Sequence, residues 1–269
     1  MDIKILIASH KKYLMPSDPL YLPIQVGACI PVNGKKVDFG YLKDDAGDNI
    51  SGKNPEFSEL TAVYWAWKNL SADYIGLVHY RRYFSVVKKG KKPFDNIMTK
   101  SEAEAILRNH DIIIPKKRHY FIETLYSHYS NSLEEKHLIL ARTIIHERCP
   151  EYLETFDRTM KRTWGYMFNM MVMRRDYFDS YCKWLFDILF ELEKRIDLTG
   201  YTSFERRLFG RVSELLFDVW LEHQIEQGRI ARKQIQEISI ISTEPVNWLK
   251  KGAAFLAAKL FHKKYKKSF

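Results

Sequence analysis

What this sequence lacks narrows it first. It has three cysteines, Cys29, Cys149 and Cys182, in 269 residues. The count is odd, the spacings are wide, and no CxxC or Cys/His cluster occurs. A disulfide framework and a structural zinc site are therefore unsupported, and a reducing compartment, the cytoplasm, is expected. No run of about 18 apolar residues exists, so no membrane-spanning helix is expected. The opening MDIKILIASHKKY is too short and polar for a secretory leader. There is no GxxxxGK-S/T loop and no GxGxxG after a strand, which removes the usual ATP and dinucleotide cradles. GxSxG is missing too. So is Asp-x-Asp; the nearest acidic group is DDAGD at 44–48.

What is present is an ordinary globular composition, with 46% apolar and 28% charged residues. Aromatics reach 14%. They suit ring or sugar binding, but a large core is the commoner use of aromatics. The net charge of +10 is uneven. No acid follows Glu244, whereas seven lysines do, leaving 36 basic against 33 acidic residues in the body. A basic excess gathered in one tail argues against nucleic acid as a partner.

Periodicity supplies the elements. IKILIA at 3–8 reads as a buried strand, IQVGACI at 24–30 as a second, YIGLVHY at 74–80 as a third, and HDIIIP as a fourth. Residues 55–70 read as a helix through Leu60, Val63, Tyr64, Trp67 and Leu70, with Asn54 as N-cap and Pro55 at its first position. Ser101 with Glu104, and Ser132 with Glu135, read as capping boxes. Residues 120–162 are mostly helical, and YMFNMMVM at 166–173 reads as a strand. A helix carries Phe178, Tyr181, Leu185, Leu189 and Leu192 on one face. Another ends at Gly228, and ISIIS is a last strand. Strands alternating with helices imply an α/β sheet with helices on its faces.

In such sheets a ligand lies beyond the carboxyl ends of the strands. Three of those ends carry polar residues: Ser9-His10-Lys11, His79-Tyr80-Arg81-Arg82, and the loop around Asn169. The 55–70 helix starts on the same side, preceded by Asp45, Asn49, Lys53 and Asn54. A helix N-terminus with lysines and paired arginines suits a diphosphate, although surface ion pairing would use the same residues. If the strand continued through Arg81 and Arg82, the two would face opposite sides, with Arg81 beside His79. His128 and His146, on helices among tyrosines and leucines, read as structural.

ASHKKYLMP, DDAGDNISGKNPEFSELTAVYWAWKN, YIGLVHYRRYF and RLFGRVSELLFDVWLEH occur in that order. Together they resemble a family of bacterial capsular and exopolysaccharide glycosyltransferases long catalogued as a domain of unknown function. The resemblance runs from about residue 3 to 225. It implies an α/β, GT-A-like fold: a nucleotide-binding mixed sheet flanked by helices, with a helix-rich acceptor half. One domain over 1–245 is expected, with a nucleotide-sugar half at 1–115 and an acceptor half at 116–245. The implied activity moves a hexose from a nucleotide sugar, a UDP-sugar, to a lipid-linked cell-surface polysaccharide at the inner face of the plasma membrane. A non-catalytic nucleotide- or saccharide-binding module is the alternative.

GT-A enzymes usually hold a divalent metal, Mn or Mg, on an Asp-x-Asp after a helix and strand. Here that tip carries His79, Tyr80 and Arg81. Arginines can stabilise a leaving diphosphate as a metal does, so metal dependence stays open. By the same resemblance Glu214, with Glu205 behind it, is the candidate base for an acceptor hydroxyl. Asn169 is a candidate for binding sugar or acceptor, or for bonding a neighbouring backbone group. The segment 246–269 carries Trp248, Leu249, Phe255, Leu256, Leu260 and Phe261 among lysines. It reads as an amphipathic helix on an anionic membrane, or as a solvated basic end.

Overall fold

The computed structural model describes residues 1–244; the expected tail at 246–269, with its membrane contact through 248–269, lies outside the described residues. The chain opens with β1 (Ile3–Ser9), β2 (Tyr21–Gln25) and β3 (Leu42–Lys43). Two short helices follow, α1 (Asn54–Phe57) and α2 (Leu60–Asn69), and then β4 (Tyr74–His79) and β5 (Arg82–Ser85). Next come α3 (Lys100–Leu107), β6 (Ile112–Pro115) and β7 (Arg118–His119). The helix-rich stretch holds α4 (Leu125–Ser132), α5 (Lys136–Arg148) and α6 (Leu153–Met160). β8 (Trp164–Gly165), β9 (Met171–Arg174), α7 (Arg175–Arg195), α8 (Leu208–Glu226) and β10 (Ile235–Ser242) complete it.

β3, β2, β1 and β4 pair in parallel, in that order. β9 runs antiparallel to both β4 and β6. β10 is parallel to β6 and antiparallel to β5, and β5 meets β4 at the pair His79 and Arg82. The mixed sheet has helices on both faces because its strands are apolar on both. Ile75 and Leu77 enter the larger core with α2, α5, α7 and α8, while Tyr74 and Val78 enter a second core with α3. Gly76 makes the β4–β9 contact possible: a Cβ there would sit 2.7 Å from the Met171 carbonyl oxygen.

α8 is buried nearly all round, which marks an element threaded through a core rather than laid on it. It packs against α1, α6 and α7, so its first turns reach the carboxyl ends of the strands. Among the described residues no helix is long and apolar enough to cross a membrane.

Several local expectations are corrected. The second strand lies earlier than 24–30: Gly27 takes φ 65°, and the N–H groups of Gly27 and Ala28 turn to the buried Asp44 carboxylate. The 55–70 helix is broken by Ser58 at φ 52°. Within it Trp65, not Trp67, is the buried indole. The capping boxes belong to Thr99 with Glu102 and to Thr124 with Ser127; Ser132 ends α4 instead. The strand expected at 166–173 shrinks to β9, because Phe168 and Asn169 take φ 77° and 52°. Gly228, at φ 68°, does follow the end of α8.

Candidate active site

A cavity of about 560 Å³ opens at the carboxyl ends of β1 and β4. Five groups of residues wall it. His10 follows β1; Asn54, Ser58 and Glu59 come from the broken helix. The β4–β5 turn gives His79, Arg81 and Arg82, and the first turns of α8 give Arg207, Arg211 and Glu214. Arg118, Tyr120, His128 and Tyr129 close the far side.

The central motif is a reverse turn, not a continuing strand. His79 pairs with Arg82, leaving Tyr80 and Arg81 as the two turn residues. Both arginines therefore line one cavity: the strand does not continue through them, so the condition for their facing opposite sides is not met. Arg81 lies 3.0 Å from Glu244. Arg82 stacks 4.5 Å over the Phe168 ring. Of the five cavity arginines, Arg81 is the only one in an ion pair among the described residues. Burial pulls Arg82 and Arg211 below the usual guanidinium range. Arginine still keeps its proton, so the cavity holds charge with little carboxylate to balance it.

Phe168 organises the floor. Its carbonyl accepts from His79 Nε2 at 2.6 Å, and its N–H donates to Glu214. Burial holds the His79 pKa below its ordinary value, so the ring is a neutral donor rather than a cationic clamp. Burial raises the Glu214 pKa, and the nearby Glu59 carboxylate adds to the rise; the Phe168 N–H, Arg211 and Arg118 oppose it. Asn169 is 3% exposed and does not reach the cavity. Its amide donates to Glu59 at 2.8 Å and to the Gly210 carbonyl at 3.0 Å, and it accepts from Ser213 Oγ at 3.0 Å. Two residues in left-handed backbone thus aim two carboxylates into one site, the kind of strain that surrounding contacts must hold.

His10, Asn54, His79, Arg81, Arg82 and Glu214 are brought together by the fold. Ser9, Lys11, Asp45, Asn49, Lys53 and Asn169 are not. Ser9 Oγ donates to the Lys11 carbonyl in a local turn. The Lys11 ammonium sits over Tyr13 and Tyr80. Asn49 closes the acidic loop by donating to the carbonyls of Asp45 and Gly47. Lys53 pairs with Glu193.

Sequence reasoning missed Glu59, Arg118, His128, Arg207 and Arg211. Arg207, Arg211 and Glu214 fall at i, i+4 and i+7, a polar stripe on an otherwise buried helix, and that signal was readable. His128 carries no such mark. Its Nδ1 lies 2.7 Å from the buried Glu123, whose other oxygen accepts from Asn131 at 2.8 Å. Only the fold turns that ring toward the cavity. Among the described residues no group of three or more His, Cys, Asp and Glu side chains could hold a metal ion.

The fold and site define an α/β protein with an arginine-rich cavity at the carboxyl ends of its strands. The chain belongs to the family described as a domain of unknown function, DUF4422, whose model matches residues 4–225. No curated protein matches it. The solved structure of WbbM, a bifunctional glycosyltransferase in its apo form, is similar over 91% of this chain, with a TM-score of 0.83 and 29% identity. This chain spans 46% of that protein, about half its length.

Proposed function

We propose that this chain is a glycosyltransferase that moves a hexose from a nucleotide-sugar donor, a UDP-sugar, to a saccharide acceptor. The observation that carries the reading is the cavity itself: five arginines, one of them in an ion pair among the described residues, line it together with Glu214. A nucleoside diphosphate supplies the missing negative charge, and paired guanidinium groups match phosphate oxygens in geometry as well as sign. The likeness to WbbM supports the same class.

In this reading Arg82 and Arg207, with Arg81, hold the diphosphate. As the bond from the sugar's anomeric carbon to the phosphate oxygen breaks, that oxygen leaves with the electron pair, and fixed guanidinium charge stabilises it. The acceptor oxygen forms the new bond to the same carbon and gives its proton to Glu214. Tyr120, His128 and Tyr129 on the far wall receive the acceptor. The cavity's donor set, guanidinium groups around two carboxylates, does not fit a divalent cation. The acceptor is proposed to be a lipid-linked cell-surface polysaccharide, met at the cytoplasmic face of the membrane with help from residues 248–269.

The test is nucleoside-diphosphate binding by calorimetry, with manganese and with chelator, followed by a nucleotide-sugar turnover screen. Arg82→Ala should weaken diphosphate binding about tenfold. Unchanged binding would remove the arginines from the site. Binding without turnover of any nucleotide sugar would leave a non-catalytic module.

A further inference from the structure

The segment between β7 and α4 ends in an apolar tip. Phe121 is 84% exposed and its neighbour Ile122 is 65% exposed. Single exposed apolar residues are common, but adjacent large ones held in a fixed shape are not. This tip is held. The Tyr120 N–H donates to the Thr163 carbonyl at 2.7 Å, and the Ile122 N–H folds back to the Tyr120 carbonyl at 2.6 Å. Phe121 itself takes φ 56°, a conformation an aromatic residue rarely adopts. The backbone is thus bent in a way that points two apolar side chains into water.

The surroundings are cationic. Lys116, Arg118 and His119 precede the tip and are exposed. No acid lies between 116 and 122, and the first that follows, Glu123, is buried against His128 and Asn131. The tip also adjoins the cavity: Arg118, Tyr120, Leu125 and His128 all line it.

We infer that Phe121 and Ile122 insert into an anionic bilayer, setting the far mouth of the cavity against the membrane. An apolar point preceded by the exposed Lys116 and Arg118 matches the acyl layer below and the anionic headgroups around it. A second copy of the chain fits worse, since a symmetric contact would press the same cations together. A protein partner needs about 800 Å² on each side, more than two side chains offer. The docking surface stands apart from the transferase reading, and it is separate from residues 248–269.

Vesicle co-sedimentation of the full chain tests it, using phosphatidylethanolamine with phosphatidylglycerol against pure phosphatidylcholine. Phe121→Ser with Ile122→Ser should lower partition onto the anionic vesicles by about tenfold or more. Melting temperature and nucleoside-diphosphate binding should stay unchanged, because Phe121 meets only the exposed His119 ring and neither residue lines the cavity. Lys116→Glu should weaken binding to anionic vesicles alone. A Phe121→Trp variant should be quenched by brominated acyl chains beyond the quenching of the wild-type tryptophans. Equal partition of the double variant and wild type overturns the inference. So does wild-type protein that binds no vesicles, or a double variant that changes oligomeric state and keeps its vesicle binding. Failure of the wild-type chain to bind a nucleoside diphosphate strikes the transferase reading and leaves the tip standing.

Discussion

Replacing Asn169 with alanine should cost this protein about 3–5 kcal/mol. The side chain makes three hydrogen bonds from a site 3% exposed. The bond to Glu59 goes to a carboxylate and contributes about 1.5–3 kcal/mol; the two neutral bonds contribute about 1 each. Alanine would also keep the left-handed backbone without the polar side chain that tolerates it, at about 1 kcal/mol. Water entering from the nearby cavity would return part of the sum. Urea unfolding reads the result: at about 3 kcal/mol per molar for a chain this size, the midpoint should fall by about 1–1.7 M. Asn169→Gly separates the two causes, because glycine accepts φ 52° at no steric cost. It should recover no more than about 1 kcal/mol of the loss. A loss below about 1 kcal/mol in the alanine variant, or full recovery by glycine, would refute the hydrogen-bond account.

Glu214 and Gly76 carry the other predictions. Glu214→Gln should lower turnover by about 10²–10⁴, and a variant keeping a tenth of wild-type rate would remove Glu214 as base. Burial and Glu59 raise the folded-state pKa of Glu214. Its contribution to stability is therefore fully present below the ordinary carboxylate pKa and is lost as pH rises through the raised one. The glutamine variant lacks that loss, so its melting temperature should gain on wild type as pH rises, and wild-type activity should fall as pH drops through the same raised pKa. In the sheet, Gly76→Ala would press a Cβ against the Met171 carbonyl and the Val172 side chain. It should destabilise by about 3 kcal/mol in thermal unfolding, and a near-neutral effect would mean that β9 can shift away from β4.

The sequence by itself determined the strands around 3–8, 74–79 and 112–115 and the two long helices of the second half. Each of those signals is local: burial of alternate or every third to fourth residue leaves its period in the chain. The same reasoning put His10, His79, Arg81 and Arg82 at element ends, the family resemblance added Glu214, and those five line one cavity. Tertiary structure alone decided the rest. The β4–β5 turn depends on β10 pairing with β5 from the far end of the chain. The left-handed pair Phe168 and Asn169 sits inside a run whose composition reads as strand; what holds it are contacts with His79 and Glu59, 89 and 110 residues away. His128 looks like any helical histidine until Glu123 turns it and Tyr120 lines up beside it. Backbone strain and side-chain aim are set by partners distant in sequence, and periodicity carries no trace of a partner that is not a neighbour.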